Sequence, residues 1–203
     1  MRLFKIIVVV LVALGAVGVG GVALAYPSVA AATCPGCYGL ESIGDGVYAE
    51  GRRADVLRVV AAARARVKAF YGELRSSPRL LVCVTEKCYS RLGGGGEKGV
   101  AVLNRAVMLS PRGLDPVIAA HELSHVEFHA RLVKEAPQWV DEGLAVVVSQ
   151  DSRYLPAPAT CPAGPPLPET LDAWLASPAY ARAACEVTHR LDALVKEYTG
   201  VLR

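Results

Sequence analysis

The sequence lacks a charge imbalance, a basic run and a second long apolar segment, and each absence excludes a class of protein. Setting aside residues 1–25 leaves 178 residues (203 less 25) with 19 acidic and 20 basic side chains (22 less Arg2 and Lys5), a net charge of +1. A nearly neutral body with no basic stretch longer than Arg52-Arg53 has no electrostatic footprint for nucleic acid. Ile6–Ala25 is the single long charge-free apolar run, which excludes a multi-span membrane protein. Aromatic residues are few, at 6%, but 53% of the chain is hydrophobic, far too much for a disordered protein. What remains is one domain of about 150 residues, large enough for a core of its own.

Arg2 and Lys5 precede the apolar run, and Ala23-Leu24-Ala25 puts small residues where a signal peptidase cleaves, ahead of Tyr26. Ala30-Ala31-Ala32 is a second candidate. The run is also long enough, at about 20 residues, to span a bilayer, although Gly15, Gly18, Gly20 and Gly21 weaken a permanent helix. A cleaved export signal and a retained membrane tether both stay open over residues 1–25. Both place the body outside the cytoplasm, in the periplasm or cell envelope. Six cysteines, at 34, 37, 83, 88, 161 and 185, fit an oxidising compartment. Fifteen pairings are possible, and proximity in sequence suggests 34–37, 83–88 and 161–185. A zinc site from the first four is the alternative. Cys34-Pro35-Gly36-Cys37 has the spacing of a redox pair but not the strand that such a motif needs before it.

Along the body, Tyr38–Arg53 reads as turns with a short strand at Gly46–Glu50. Apolar residues at intervals of three and four predict a helix over Ala54–Leu74. Arg79–Thr85 and Gly99–Leu109 read as strands. Gly93–Gly96 has no helix start and no Lys-Ser/Thr behind it, so it reads as a flexible turn, not a phosphate loop. Asp115 and Pro116 are an N-cap and first-turn residue for a helix to about Lys134. A further helix follows Ala136-Pro137 over Gln138–Ser149, and a last one covers Ala179–Tyr198. Between them Tyr154–Pro168 holds six of the 13 prolines and reads as an irregular loop.

The stretch that carries chemistry is His121-Glu122-Leu123-Ser124-His125. Positions four apart on a helix lie one above the other, so His121 and His125 can reach one metal ion. Glu122 is turned about a quarter of the way round, where a carboxylate can take a proton from metal-bound water. A third ligand is available in Trp139-Val140-Asp141-Glu142-Gly143-Leu144-Ala145 on the next helix, with 16 residues between His125 and Glu142.

His-Glu-x-x-His followed by Trp-Val-Asp-Glu-Gly-Leu-Ala resembles the gluzincin zinc metallopeptidases, in particular small peptidase-MA-like domains. The resemblance implies one Zn²⁺ held by His121, His125 and Glu142, and hydrolysis of peptide bonds by attack of a zinc-bound water with Glu122 as general base. It covers residues 54–200 in layout, and only the two motifs are specific. It implies an α+β, zincin-like fold: a small, mostly antiparallel sheet with an edge strand over an active-site helix, then a helical C-terminal part. The metallopeptidase domain would span 54–203, after a disulfide-containing segment at 26–53. The 16-residue gap is slightly shorter than in thermolysin-like and aminopeptidase relatives. The metzincin pattern fails, because Phe128 and Arg131 stand where it needs Gly and His.

Such enzymes use a later Tyr or His to stabilise the oxyanion; Tyr180 and His189 are the candidates, with Tyr180 preferred. Gly99–Leu109 resembles the family's substrate-pairing edge strand, and Asn104 is a candidate backbone contact there. His129, a turn beyond His125, reads as a surface or supporting residue. Asp141 reads as a helix-start residue or a hydrogen-bond partner of a ligand His, and Trp139 as a core anchor. The expected partner is a peptide or protein substrate. The alternative is a non-catalytic zinc-binding assembly factor of the envelope, and a third reading makes the helix motif accidental.

Overall fold

The structure, a computed structural model, describes residues 25–51, 53–155 and 159–200. Residues 1–24 of the segment expected to be an export signal or anchor, Arg52, Pro156–Pro158 of the Pro-rich loop and residues 201–203 at the end of the expected domain lie outside the described residues. No described helix is long and apolar enough to cross a membrane.

The chain is α+β. Helix α1 (Pro27–Thr33) leads through a turn into the strands β1 (Glu41–Gly44) and β2 (Val47–Ala49). Helix α2 (Arg53–Tyr71), β3 (Arg79–Val82), the short α3 (Glu86–Arg91), β4 (Gly99–Val102) and β5 (Ala106–Leu109) follow. The C-terminal half is helical: α4 (Pro116–His129), α5 (Gln138–Ser149), α6 (Leu171–Ala176), α7 (Tyr180–His189) and α8 (Leu191–Thr199).

The five strands form one sheet in the order β1-β2-β3-β5-β4. It is mixed, which corrects the expectation of a mostly antiparallel sheet: β2 with β3 and β3 with β5 pair in parallel, while the two outer pairs are antiparallel. The cause is α2. A hairpin reverses a strand, whereas a helical crossover returns the chain in the same direction, so β3 runs alongside β2. Gly99–Leu109 is also two strands, not one. It folds back at Leu103 and Asn104, both left-handed with φ of 49° and 52°, the backbone of a tight hairpin turn. Asn tolerates that conformation but Leu does not advertise it.

β3 and β5 are central and buried on both faces, so their side chains divide by parity. Leu80, Val82, Val107 and Leu109 face α2, α4 and α5, meeting Val60, Val67, Leu123, Val126, Leu144 and Val148. Leu81, Cys83, Ala106 and Met108 face the other layer, with Ala31 of α1 and Tyr89 of α3. The disulfides are Cys34–Cys37, Cys83–Cys88 and Cys161–Cys185, the pairing that proximity suggests, so the four-cysteine zinc alternative falls.

α2 stops at Tyr71 because Gly72 turns left-handed, at φ 74°. α4 is capped as expected, the Asp115 carboxylate accepting from the Val117 N–H at 2.6 Å with Pro116 in the first turn. It ends at His129, short of the expected Lys134. The last helix is broken at Arg190 into α7 and α8.

Candidate metal centre

α4 and α5 pack together and supply the three candidate ligands. His121 and His125 stand one turn apart on α4, their rings edge to face with centroids 4.8 Å apart. Glu142 comes from α5. Its Oε2 lies 3.3 Å from His121 Nε2 and 3.8 Å from His125 Nε2. One ligand atom from each of the three falls within 4.8 Å of the others. Glu142 Oε1 accepts from Gln138 Nε2 at 3.1 Å, but Oε2 is buried and accepts no hydrogen bond, alone among the buried side-chain N and O atoms of the described residues. A buried acceptor without a well-aligned donor costs about 1–3 kcal/mol, a cost that a cation between it and the two imidazoles would offset. Donor atoms around a tetrahedral zinc stand about 3.3 Å apart, given Zn–N and Zn–O bonds of about 2.0–2.1 Å. Two histidines and a carboxylate at this spacing fit that ion.

The local folding that places these groups is simple. The first amides of α5 are satisfied by the end of the Pro-rich loop, Gln138 N–H by the Glu169 carbonyl at 2.9 Å and Trp139 N–H by that of Pro168 at 3.1 Å. Gly143, next to Glu142, lets α7 approach: a Cβ there would lie 2.6 Å from the Ala183 carbonyl oxygen. Asp141 is buried on the other side. It accepts from His125 Nδ1 at 2.8 Å and from His129 Nε2 at 2.9 Å. His125 therefore keeps Nε2 free to face Glu142, the orientation that ligand histidines gain from an outer carboxylate.

The electrostatics follow from burial among opposite charges. Burial pushes His125 down, but the Asp141 carboxylate beside it wins and raises it to about 10 in the metal-free protein. Burial pushes Asp141 up, and the imidazoles of His125 and His129 outweigh it and hold the carboxyl well below its usual range. Glu142 is likewise lowered by His121 and His125 against the pull of burial. Glu122 goes the other way: burial raises it, despite the two histidines.

Glu122 lies where β4 crosses α4. A Cβ on Gly99 would sit 2.8 Å from Glu122 Cγ, so any other residue there would push the Glu122 side chain aside. Beside it opens a cleft of about 250 Å³ lined by Gly99, His121, Glu122, Arg153, Tyr154 and Tyr180. Tyr180, at the start of α7, stacks on Tyr154 at 5.2 Å and meets Trp174 edge-on at 5.0 Å and His121 at 6.2 Å. Burial, then the Glu142 charge, pushes its hydroxyl up to about 12, so it remains a donor at neutral pH. A larger cavity, about 580 Å³ between α1 and the β4–β5 turn, has no histidine or carboxylate in its lining.

The structure thus brings His121, Glu122, His125, Glu142 and Tyr180 together. It does not bring His189, whose Nδ1 stands 3.8 Å from Cys161 Sγ at the disulfide, nor Asn104, at the hairpin tip beside the larger cavity. Trp139 is half-buried at the core edge under the Arg190 guanidinium, 5.9 Å away. Sequence reasoning missed Gln138, Asp151, Arg153 and Tyr154. Arg153 grips the Asp151 carboxylate with Nε at 2.8 Å, and this pair with Tyr154 forms the far wall of the cleft. No motif marks them; they follow the left-handed cap at Gln150, φ 55°. No family model, curated protein or solved structure matches the chain.

Proposed function

We propose that the chain is a zinc-dependent metallopeptidase of the gluzincin type, on a zincin-like fold, working outside the cytoplasm. The observation that carries the reading is the unsatisfied, buried Oε2 of Glu142 beside the Nε2 atoms of two histidines set one turn apart. His121, His125 and Glu142 would hold one zinc ion, with a fourth position left for chemistry. Zinc in such a site supplies Lewis acidity, acidifying an attacking water and polarising the scissile carbonyl.

The chain's own residues do the rest. Glu122, raised by burial, takes a proton from the attacking water and returns one to the departing amine. The Tyr180 hydroxyl, protonated at working pH, donates to the developing oxyanion. Among the described strands β4 pairs only with β5, so an extended peptide could pair along its outer edge beside Glu122. Asp141 holds the ring of His125. The three disulfides fit an exported protein.

Hydrolysis of a fluorogenic peptide library by the purified chain tests the proposal. Activity should vanish with a chelator and return on adding zinc. Cleavage unaffected by chelation, or equal in wild type and Glu122→Gln, would overturn it. Zinc binding without cleavage of any peptide would instead favour the assembly-factor alternative.

A further inference from the structure

His121, His125 and His129 lie one turn apart along one face of α4. α5 meets that face with two successive acids, Asp141 and Glu142, and the contacts interleave. Glu142 stands between the first two histidines, at 3.3 and 3.8 Å. Asp141 stands between the second and third, accepting from His125 Nδ1 through Oδ1 at 2.8 Å and from His129 Nε2 through Oδ2 at 2.9 Å. The proposed zinc site uses His121, His125 and Glu142, and Asp141 serves His125.

We infer that His129 is a positioning residue of the metal centre, acting through Asp141 on His125. An Asp carboxylate turns about a broad, two-fold terminal torsion, so one hydrogen bond to His125 leaves it free to swing. A second donor on the opposite oxygen fixes its plane. With the carboxylate fixed, the His125 ring is held in one tautomer and one orientation, its Nε2 toward Glu142. His129 suits this task because its side chain is 36% exposed: it contributes little to the core, and its contact with Asp141 is its one polar tie to the centre. The inference rests on the metallopeptidase reading, since an oriented His125 matters only if it binds metal.

A competing role is purely local. His129 sits in the last turn of α4, where a cation favours the helix end. Two amide substitutions separate the roles. Glutamine carries an N–H at the same number of bonds from Cα as His Nε2 and can still donate to Asp141; asparagine is one carbon short. Neither carries charge, so a helix-end role treats them alike.

The test measures zinc affinity of the full chain by competition with a chelating dye, for wild type, His129→Gln, His129→Asn and His129→Ala. Asn and Ala should weaken zinc by about tenfold and Gln should stay near wild type, the low end of the losses seen when outer partners of metal ligands are removed. The second measurement uses metal-free protein: the His125 Nδ1–H proton resonance should be sharp in wild type and His129→Gln and broadened by exchange in the other two. The inference is overturned if Asn binds zinc as tightly as wild type, or if Gln binds as weakly as Ala. A wild type with no zinc affinity sinks the metallopeptidase reading itself and this role with it, an outcome distinct from four proteins that bind zinc equally.

Discussion

At the scale of single residues, His125 answers to two partners at once. Without metal, its pairing with Asp141 raises it to about 10, so at neutral pH it holds both protons. A metal ligand must be neutral, and zinc uptake must expel one of them. Zinc affinity should therefore rise with pH between about 6 and 10, with proton release on binding; titration calorimetry in buffers of different ionisation enthalpy checks this. The same pair sets the stability of the metal-free protein. His125 is raised above its ordinary 6.5, so its contribution is full below that pH and is lost as pH rises toward its folded value. Asp141 is depressed below its ordinary 3.8, so its contribution is full above that pH and is lost in stronger acid. Metal-free protein should be most resistant to urea between about pH 4 and 6.5, and Asp141→Asn should flatten both flanks. Glu122→Gln removes the proposed base but none of the proposed ligands. Zinc should be retained while kcat falls by about 10²–10⁴-fold, the usual worth of a positioned base.

At the scale of elements, two glycines set how closely helices and strand approach the centre. Gly143→Ala drives a methyl against the Ala183 carbonyl, 2.6 Å away, and the carbonyl belongs to helix backbone that cannot step aside. We expect a loss of about 1–3 kcal/mol, read by chemical denaturation, with Tyr180 displaced along with α7. Gly99→Ala meets Glu122 Cγ at 2.8 Å, a flexible side chain that can shift. Its effect should appear in kcat with little change in stability or zinc content. Neither approach was legible beforehand, since a glycine's neighbours are set by packing. The elements themselves were legible in proportion to their local signals. α4, with its Asp115 cap and Pro116, starts where the sequence places it, and α5 occupies Gln138–Ser149 as expected. The β4–β5 turn was not legible, because Leu103 in a left-handed conformation carries no turn signature. The short strand expected at Gly46–Glu50 is β2, Val47–Ala49, but its parallel pairing with β3 was hidden, because a strand's own residues do not name its partner or the direction in which that partner runs.

At the scale of the whole molecule, disulfides fasten three separate parts: the turn after α1, the α3 layer and the Pro-rich loop. Cys161–Cys185 closes the longest loop, with a sequence separation of 24, and ties that loop to α7 and so to Tyr180. Replacing both cysteines by serine should cost about 3 kcal/mol, measured as a shift in the urea midpoint. The site was half legible in the sequence. His121, Glu122, His125 and Glu142 follow from helical spacing and a downstream motif. Gln138 and the Arg153–Tyr154 wall depend on how α4 and α5 cross and where the chain leaves α5, which no local pattern encodes.

Everything proposed for this chain depends on Glu142 Oε2 and the two facing Nε2 atoms binding zinc. Metal content of the full chain, purified without chelator, tests it most directly, with Glu142→Ala as comparison. Wild type should carry about one zinc per chain and the variant less than a tenth of that, given the tight binding of such sites. A wild type that emerges metal-free and stays so after zinc is added back would contradict it.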